Sequence, residues 1–171
     1  MNHAMRRSDR KLPEDDAKRI LMQGEYGILS TIGEDGFPYG VPLSYACDGE
    51  KIYFHCAADA GHKIENLNFS SKACFTVVGK TQVLPDKFTT NYESVMVFGT
   101  VSPAGDKLAA LEKIREKYSP DFEIEGKKYA KASEMKVAVY ELRIMELTGK
   151  ARNTKDRAGE SKAVDNGQEK R

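Results

Sequence analysis

Residues 52–68 read IYFHCAADAGHKIENLN and contain two of the three histidines and one of the three cysteines. The segment starts as a β-rich apolar run, passes through small residues, and takes on a helical pattern from His62. A helix start leaves backbone N–H groups without partners inside the helix, and Lys63 adds a cation on the same turn. The segment therefore predicts a strand, a loop and a helix whose first turn can bind an anion. A solvated helix start with Lys63 in water is the alternative.

Composition predicts one globular domain with an appended tail. The chain has 171 residues, is 40% hydrophobic and has a formal net charge of +1, so it lacks the basic field that recruits nucleic acid or an anionic membrane. No apolar run resembles a signal peptide or a membrane span, which predicts a cytoplasmic protein. We expect residues 1–152 to form the domain, including a basic N-terminal arm, and residues 153–171 to be a polar tail.

The cysteines and histidines do not take the spacing of a disulfide framework or a metal site. The three cysteines, Cys47, Cys56 and Cys74, are odd in number and form no CxxC pair. The sequence therefore predicts free thiols and no metal centre.

The period of the apolar residues assigns the secondary structure. We expect helices at 13–24, 62–68 and 108–118, one further helical turn at 129–134, and a loop at 81–91. We expect strands at 26–32, 39–47, 51–56, 72–79, 92–101 and 135–147. About six strands without βαβ alternation predict a mainly β fold, a small antiparallel barrel with flanking helices.

A two-residue turn at Asp48 and Gly49 would pair Cys56 with Val41 across a hairpin. In that register one face, comprising Val41, Leu43, Tyr45, Ile52, Phe54 and Cys56, is the core face. The opposite face is polar and contains Pro42, Ser44, Tyr53 and His55. His55 is then either a structural histidine bridging strands or a functional one next to the anion site.

Five segments taken together resemble a known family. They are DGFPYGVPLSY (35–45), IYFHCA (52–57), GHKIENL (61–67), SVMVFGT (94–100) and TGK (148–150). In this order they resemble the flavin-binding split-barrel proteins related to pyridoxamine 5'-phosphate oxidase, and most closely the nitroimidazole-resistance branch. The resemblance covers about residues 6–152 and implies a six-stranded antiparallel split barrel that binds FMN as a homodimer, with the 94–100 strand at the dimer interface.

The resemblance also implies roles for individual residues. His62 and Lys63 would hold the FMN phosphate, and Phe54 and His55 would lie under the ribityl chain and ring. Pro42, Leu43 and Ser44 would give the isoalloxazine its backbone partners, and Asn66 completes the expected cofactor-binding set. His55 is the expected catalytic residue.

The implied function is an FMN-dependent oxidoreductase that reduces small electron-poor substrates such as 5-nitroimidazoles. Pyridoxamine phosphate oxidase itself has Ser-Arg-Lys where this chain has Gly61-His62-Lys63, and its C-terminal substrate-binding segment has no counterpart here. Oxidation of pyridoxamine phosphate is therefore not the expected reaction. The alternative is a non-catalytic flavin- or haem-binding module of the same fold.

Overall fold

The computed structural model describes residues 4–58 and 61–153, so all but the first residue of the predicted tail lies outside the described residues. The helices are α1 (Glu14–Gln23), α2 (His62–Phe69), α3 (Lys107–Tyr118) and α4 (Glu123–Ser133). The strands are β1 (Gly27–Ile32), β2 (Pro38–Leu43), β3 (Ala46–Cys47), β4 (Lys51–Ala57), β5 (Lys72–Leu84), β6 (Thr89–Pro103) and β7 (Val137–Arg152).

All the strands form one antiparallel sheet in the order β2-β1-β5-β6-β7-β4-β3. Its two edge strands, β2 and β3, are separated by only two residues, Ser44 and Tyr45. The chain thus returns one edge of the sheet to the other, and the sheet curls into a barrel that stays split between β2 and β3. The expected mainly β split barrel with flanking helices is confirmed. The strand expected at 39–47 is divided at the split, so the described part of the chain has seven strands where six were expected.

The inner face of the curled sheet holds the main core. Its largest fully buried side chains come from α1 and from six strands or their ends: Leu21, Leu29, Tyr45, Ile52, Phe54, Phe75, Val77, Val95, Val97 and Leu142. Each such side chain contributes roughly 1.5–3 kcal/mol by leaving water. A second, smaller cluster on the outer face packs α3 against β3, β4 and β7 through Ala46, Tyr53, Ala110, Ile114 and Val139.

The TGK segment (148–150) is part of β7 and packs against α1 and the residues before it. Leu12 N–H donates to Gly149 O at 3.0 Å, and Lys11 forms a bridge with Lys150. A Cβ on Gly149 would lie 2.7 Å from Ala17 Cβ and 3.1 Å from Leu12 Cβ. Only glycine lets α1 approach this closely, so the segment has a packing role.

The predicted hairpin register is wrong, although its assignment of the core face is right. The structure pairs Ala46 with Tyr53 and Cys47 with Ile52, and β2 pairs with β1 instead of β4. The Asp48 carboxylate accepts hydrogen bonds from the N–H groups of Glu50 and Lys51, which widens the turn. Between β3 and β4 the pairing moves by two positions, and side chains alternate with a period of two, so these residues keep their faces. Val41 and Leu43 of β2 also pack against the core, although their partner strand is β1.

Two further predictions are corrected by the structure. Residues 81–91 are not a loop: β5 and β6 continue as a hairpin with Thr81 opposite Tyr92 and Leu84 opposite Thr89, closed by a turn at Pro85–Lys87. The helical turn expected at 129–134 is the end of an 11-residue helix, α4. No residue of α4 is buried. Its sequence therefore lacks the apolar stripe of a helix that packs on a core, and the full helix was not predicted.

Gly149→Ala is expected to destabilise the protein by about 1–3 kcal/mol, because the new methyl group must push α1 away from β7. The matched control is Gly105→Ala, where a Cβ meets nothing within 4 Å and the change should stay within about 0.5 kcal/mol or stabilise slightly. Urea unfolding of both variants measures the difference. Equal midpoints would contradict the packing role.

Candidate functional site

The first turn of α2 has the features expected of an anion site. Gly61 precedes the helix with φ of 140°, a conformation that favours glycine, and a Cβ at this position would meet nothing within 4 Å. No side chain caps the start of α2, and the N–H of Ile64 already donates to Gly61 O at 2.8 Å, so the N–H groups of His62 and Lys63 are the ones that an anion could use. The His62 ring stacks on the Tyr39 ring of β2 with centroids 4.1 Å apart, which fixes the helix start beside the second strand.

Lys63 brings a positive charge close to the end of β4. Burial lowers the pKa of His55, and the charge of Lys63 lowers it further. Burial raises the pKa of the Cys56 thiol, while Lys63 opposes that rise. Both effects favour the neutral form of the His55 imidazole, although the residue is still partly exposed to solvent towards the end of β4.

The other expected cofactor residues lie at the end of β2 and in the middle of β4. Pro42 and Ser44 are exposed and Leu43 is half-buried, at the point where β2 stops. The Phe54 ring is fully buried and stacks on Tyr140 with centroids 5.7 Å apart, so only its backbone can face a cofactor.

Asn66 lies away from this open surface. Its side chain is 3% exposed, and its amide nitrogen donates to the Thr31 hydroxyl at 3.1 Å. A Cβ on Gly33 would come within 2.5 Å of the Asn66 side-chain oxygen. Asn66 therefore positions α2 on β1, and its expected contact with a cofactor stays a prediction.

The split in the barrel is held by Tyr118. The N–H of Tyr45 donates to the Tyr118 hydroxyl at 2.9 Å, and the carbonyls of Tyr45 and Glu25 lie 2.9 and 2.6 Å from the same oxygen. One side chain thus takes the place of the strand that would otherwise pair with Tyr45. The hydroxyl has a single hydrogen, which one of the two carbonyls accepts.

Lys117 completes this junction. Its ammonium donates to Gly24 O at 2.7 Å and lies 3.7 Å from the centre of the Tyr45 ring. Burial lowers the pKa of Lys117 to about 8, whereas the ring and the negative end of α1 favour its charged form. The Tyr45 hydroxyl donates to Leu21 O, so three side chains satisfy the carbonyls at the end of α1.

A cavity of about 460 Å³ opens beside His55, between the end of β4 and helices α3 and α4. Tyr118 lines it too, so the junction at the split forms one wall. Sequence reasoning missed this cavity because it depends on α4 and on contacts between distant segments. The signals that could have found it are Glu112 and Arg115, whose spacing on α3 predicts an ion pair, and Tyr118, which directly precedes the Ser119-Pro120 stop.

The residues fit a phosphorylated flavin. Free N–H groups at the start of α2 and the Lys63 cation suit a phosphate. The exposed end of β2 offers backbone groups for a polar ring edge, and His55 lies between this surface and the cavity.

The sequence profile described as pyridoxamine 5'-phosphate oxidase matches residues 13–151. The chain belongs to the pyridoxamine 5'-phosphate oxidase family. No curated protein sequence gives a match.

Three solved structures have the same fold as this family member. A candidate 5-nitroimidazole antibiotic resistance protein from Bacteroides thetaiotaomicron superimposes with a TM-score of 0.69 at 22% identity, covering 82% of this chain and 86% of that one. A flavocytochrome from Azotobacter vinelandii superimposes with a TM-score of 0.67 at 23% identity, covering 89% of this chain and 73% of that one. An FAD- and haem-binding protein from Mycobacterium smegmatis superimposes with a TM-score of 0.70 at 16% identity, covering 85% of this chain and 74% of that one. At these identities the likeness establishes the fold alone.

Within residues 4–58 and 61–153, none of the helices combines the length and apolar character needed to cross a bilayer. Within the same ranges, no group of three or more His, Cys, Asp or Glu side chains could hold a metal ion.

Tyr118→Phe is expected to destabilise the protein by about 1–3 kcal/mol, because the buried N–H of Tyr45 loses its acceptor. Tyr26→Phe is the control, since the Tyr26 side chain is exposed close to the same junction. Urea unfolding gives the energies, and hydrogen exchange of the Tyr45 amide should quicken only in the first variant. Unchanged exchange would show that the hydroxyl does not hold the split.

Proposed function

We propose that this protein is an FMN-dependent oxidoreductase that reduces small electron-poor substrates such as 5-nitroimidazoles. The observation that carries the proposal is the position of His55, between the anion site at the start of α2 and the cavity beneath α3 and α4. One side suits the cofactor phosphate and the other suits a second small molecule. Family membership supports flavin chemistry, and the structural neighbours include a candidate 5-nitroimidazole resistance protein.

A bound flavin would supply the transfer of electrons in pairs, and an external reductant would restore it between turnovers. The chain's own contribution is binding, orientation and proton supply. The α2 N–H groups and Lys63 would hold the phosphate, and the backbone at Pro42, Leu43 and Ser44 would orient the ring. His55 would orient the substrate or donate a proton through its imidazolium form to the reduced group.

We further propose that the working unit is a homodimer in the cytoplasm. The outward-facing side chains of β5 and β6 include Val78 and Met96, which are exposed, and Phe98, which is partly exposed. A second copy would cover this face and complete the flavin site. The three free cysteines suit a reducing compartment.

A second candidate is a haem- or flavin-binding module without turnover. The observation that favours it is the position of His55 beside a mainly apolar cavity, with burial and Lys63 favouring the neutral imidazole, which is a common ligand for iron. Two structural neighbours are a flavocytochrome and an FAD- and haem-binding protein.

Lys63→Ala is expected to weaken FMN binding by about tenfold or more, because it removes a charge next to the phosphate. Riboflavin, which lacks the phosphate, should bind the wild type and the variant equally. Lys128→Ala, an exposed lysine on α4, is the control. Fluorescence titration of both ligands measures the effect, and an equal loss for riboflavin would rule out a phosphate contact.

His55→Gln is expected to keep its flavin and to lose about 10²- to 10⁴-fold of the nitroimidazole reduction rate. Because the pKa of His55 is lowered, its imidazolium grows as the pH falls below neutrality, so the wild-type rate should rise there and the variant's rate should not. Reduction of a 5-nitroimidazole with a chemical reductant across pH 5 to 8 measures this. Full activity in the variant would show that His55 has no role in catalysis. If the wild type were inactive and gave a Soret band with haem that the variant lacked, the haem-binding module would be favoured.

A further inference from the structure

The cavity beside His55 has a lining that is apolar over most of its area. Its walls are carbon-rich side chains from α3, α4, β7 and the residue before α4: Leu111, Ile114, Phe122, Tyr129, Ala130 and Val137. The space is open to solvent on the α4 side, where Phe122 is 61% and Tyr129 75% exposed. A space of about 460 Å³ suits one small aromatic molecule. The inference below rests on the proposed function, because it concerns the molecule that would meet the flavin.

Arg115 is the one arginine among the described residues of this lining, and it is paired with a carboxylate. Arg115 donates from Nε and Nη2 to the two carboxylate oxygens of Glu112, at 3.0 Å each. Its Nη1 donates to Ser119 O at 3.0 Å and to Pro120 O at 3.3 Å. The guanidinium keeps its charge, but the adjacent carboxylate offsets that charge and these bonds leave few donors for a ligand.

Helix α4 keeps Arg115 in this arrangement. A Cβ on Gly126 would lie 2.5 Å from Arg115 Cδ and 2.8 Å from Cγ, so the stem of the arginine passes directly beneath the helix. Arg115 lines the cavity from this position, with its stem packed against α4 and its guanidinium bonded to Glu112. Glu125 also lines the cavity and adds a negative charge.

We propose that this cavity binds the electron acceptor of the flavin and that it selects a neutral planar ring over a carboxylated or phosphorylated one. A planar ring gains by leaving water among apolar side chains. An anion in the cavity would lose its hydration, lie close to the negative charge of Glu125, and lack a free cationic partner because Arg115 is already paired. The Glu112–Arg115 pair is therefore the specificity device of the cavity.

The test uses 4-nitrobenzamide and 4-nitrobenzoate, two rings of equal size that differ in charge. Calorimetric titration of the full-length protein should show the amide binding at least about tenfold more tightly than the carboxylate. Ala130→Phe fills the cavity from α4 and should weaken amide binding by about tenfold or more. Ala132→Phe adds the same ring to an exposed position on that helix outside the cavity and should change nothing.

Glu112→Gln should reduce the ratio of amide affinity to carboxylate affinity, because it removes the carboxylate that pairs with Arg115 and leaves the guanidinium available to 4-nitrobenzoate. Equal binding of the two rings by the wild type, unchanged binding in Ala130→Phe, or no amide binding would each overturn the proposal. Flavin content is measured on the same samples. If the protein held no flavin but still bound the amide, and Ala130→Phe weakened that binding, the proposed function would be wrong while the selectivity of the cavity would be supported.

Discussion

The C-terminal end of α1 is satisfied by side chains from elsewhere in the chain, and the shape of the barrel depends on this junction. A helix end leaves carbonyls unpaired, and α1 has no basic residue in its own last turn. Lys117 and Tyr118 from α3, together with Tyr45, bond the carbonyls of Gly24, Glu25 and Leu21. Each bond joins α1 to a segment 24 or 93 residues away, so one junction fixes α1, α3 and the split together.

The same junction explains why the barrel stays split. At Tyr45 the chain passes from one edge strand to the other, and its N–H would need a strand partner in a closed sheet. The Tyr118 hydroxyl supplies that partner, so the edges need not meet. Tyr118 also forms part of the wall of the cavity beside His55. The residue that stabilises the opening thus also shapes the space that a ligand would use.

Local patterns predicted the strands and the core face but not the junctions between distant segments. Alternation put Ile52 and Phe54 in the core, and both are fully buried. The register was wrong because the Asp48 side chain widens the turn, a choice that β-propensity does not encode. The start of α2 could be predicted from the Gly61 step, whereas Tyr118 and α4 depend on tertiary contacts across the fold.

His55 divides the site by charge. On one side, Lys63 keeps a cation close enough to lower the pKa of the imidazole. On the other side, the guanidinium of Arg115 is cancelled by Glu112 and covered by α4 at Gly126. An anionic group gains on the Lys63 side, whereas in the cavity it would leave water beside a guanidinium that is already paired, and burial of an unpaired charge is costly. Charge placement alone would then orient a phosphorylated cofactor and an uncharged substrate towards each other across one histidine.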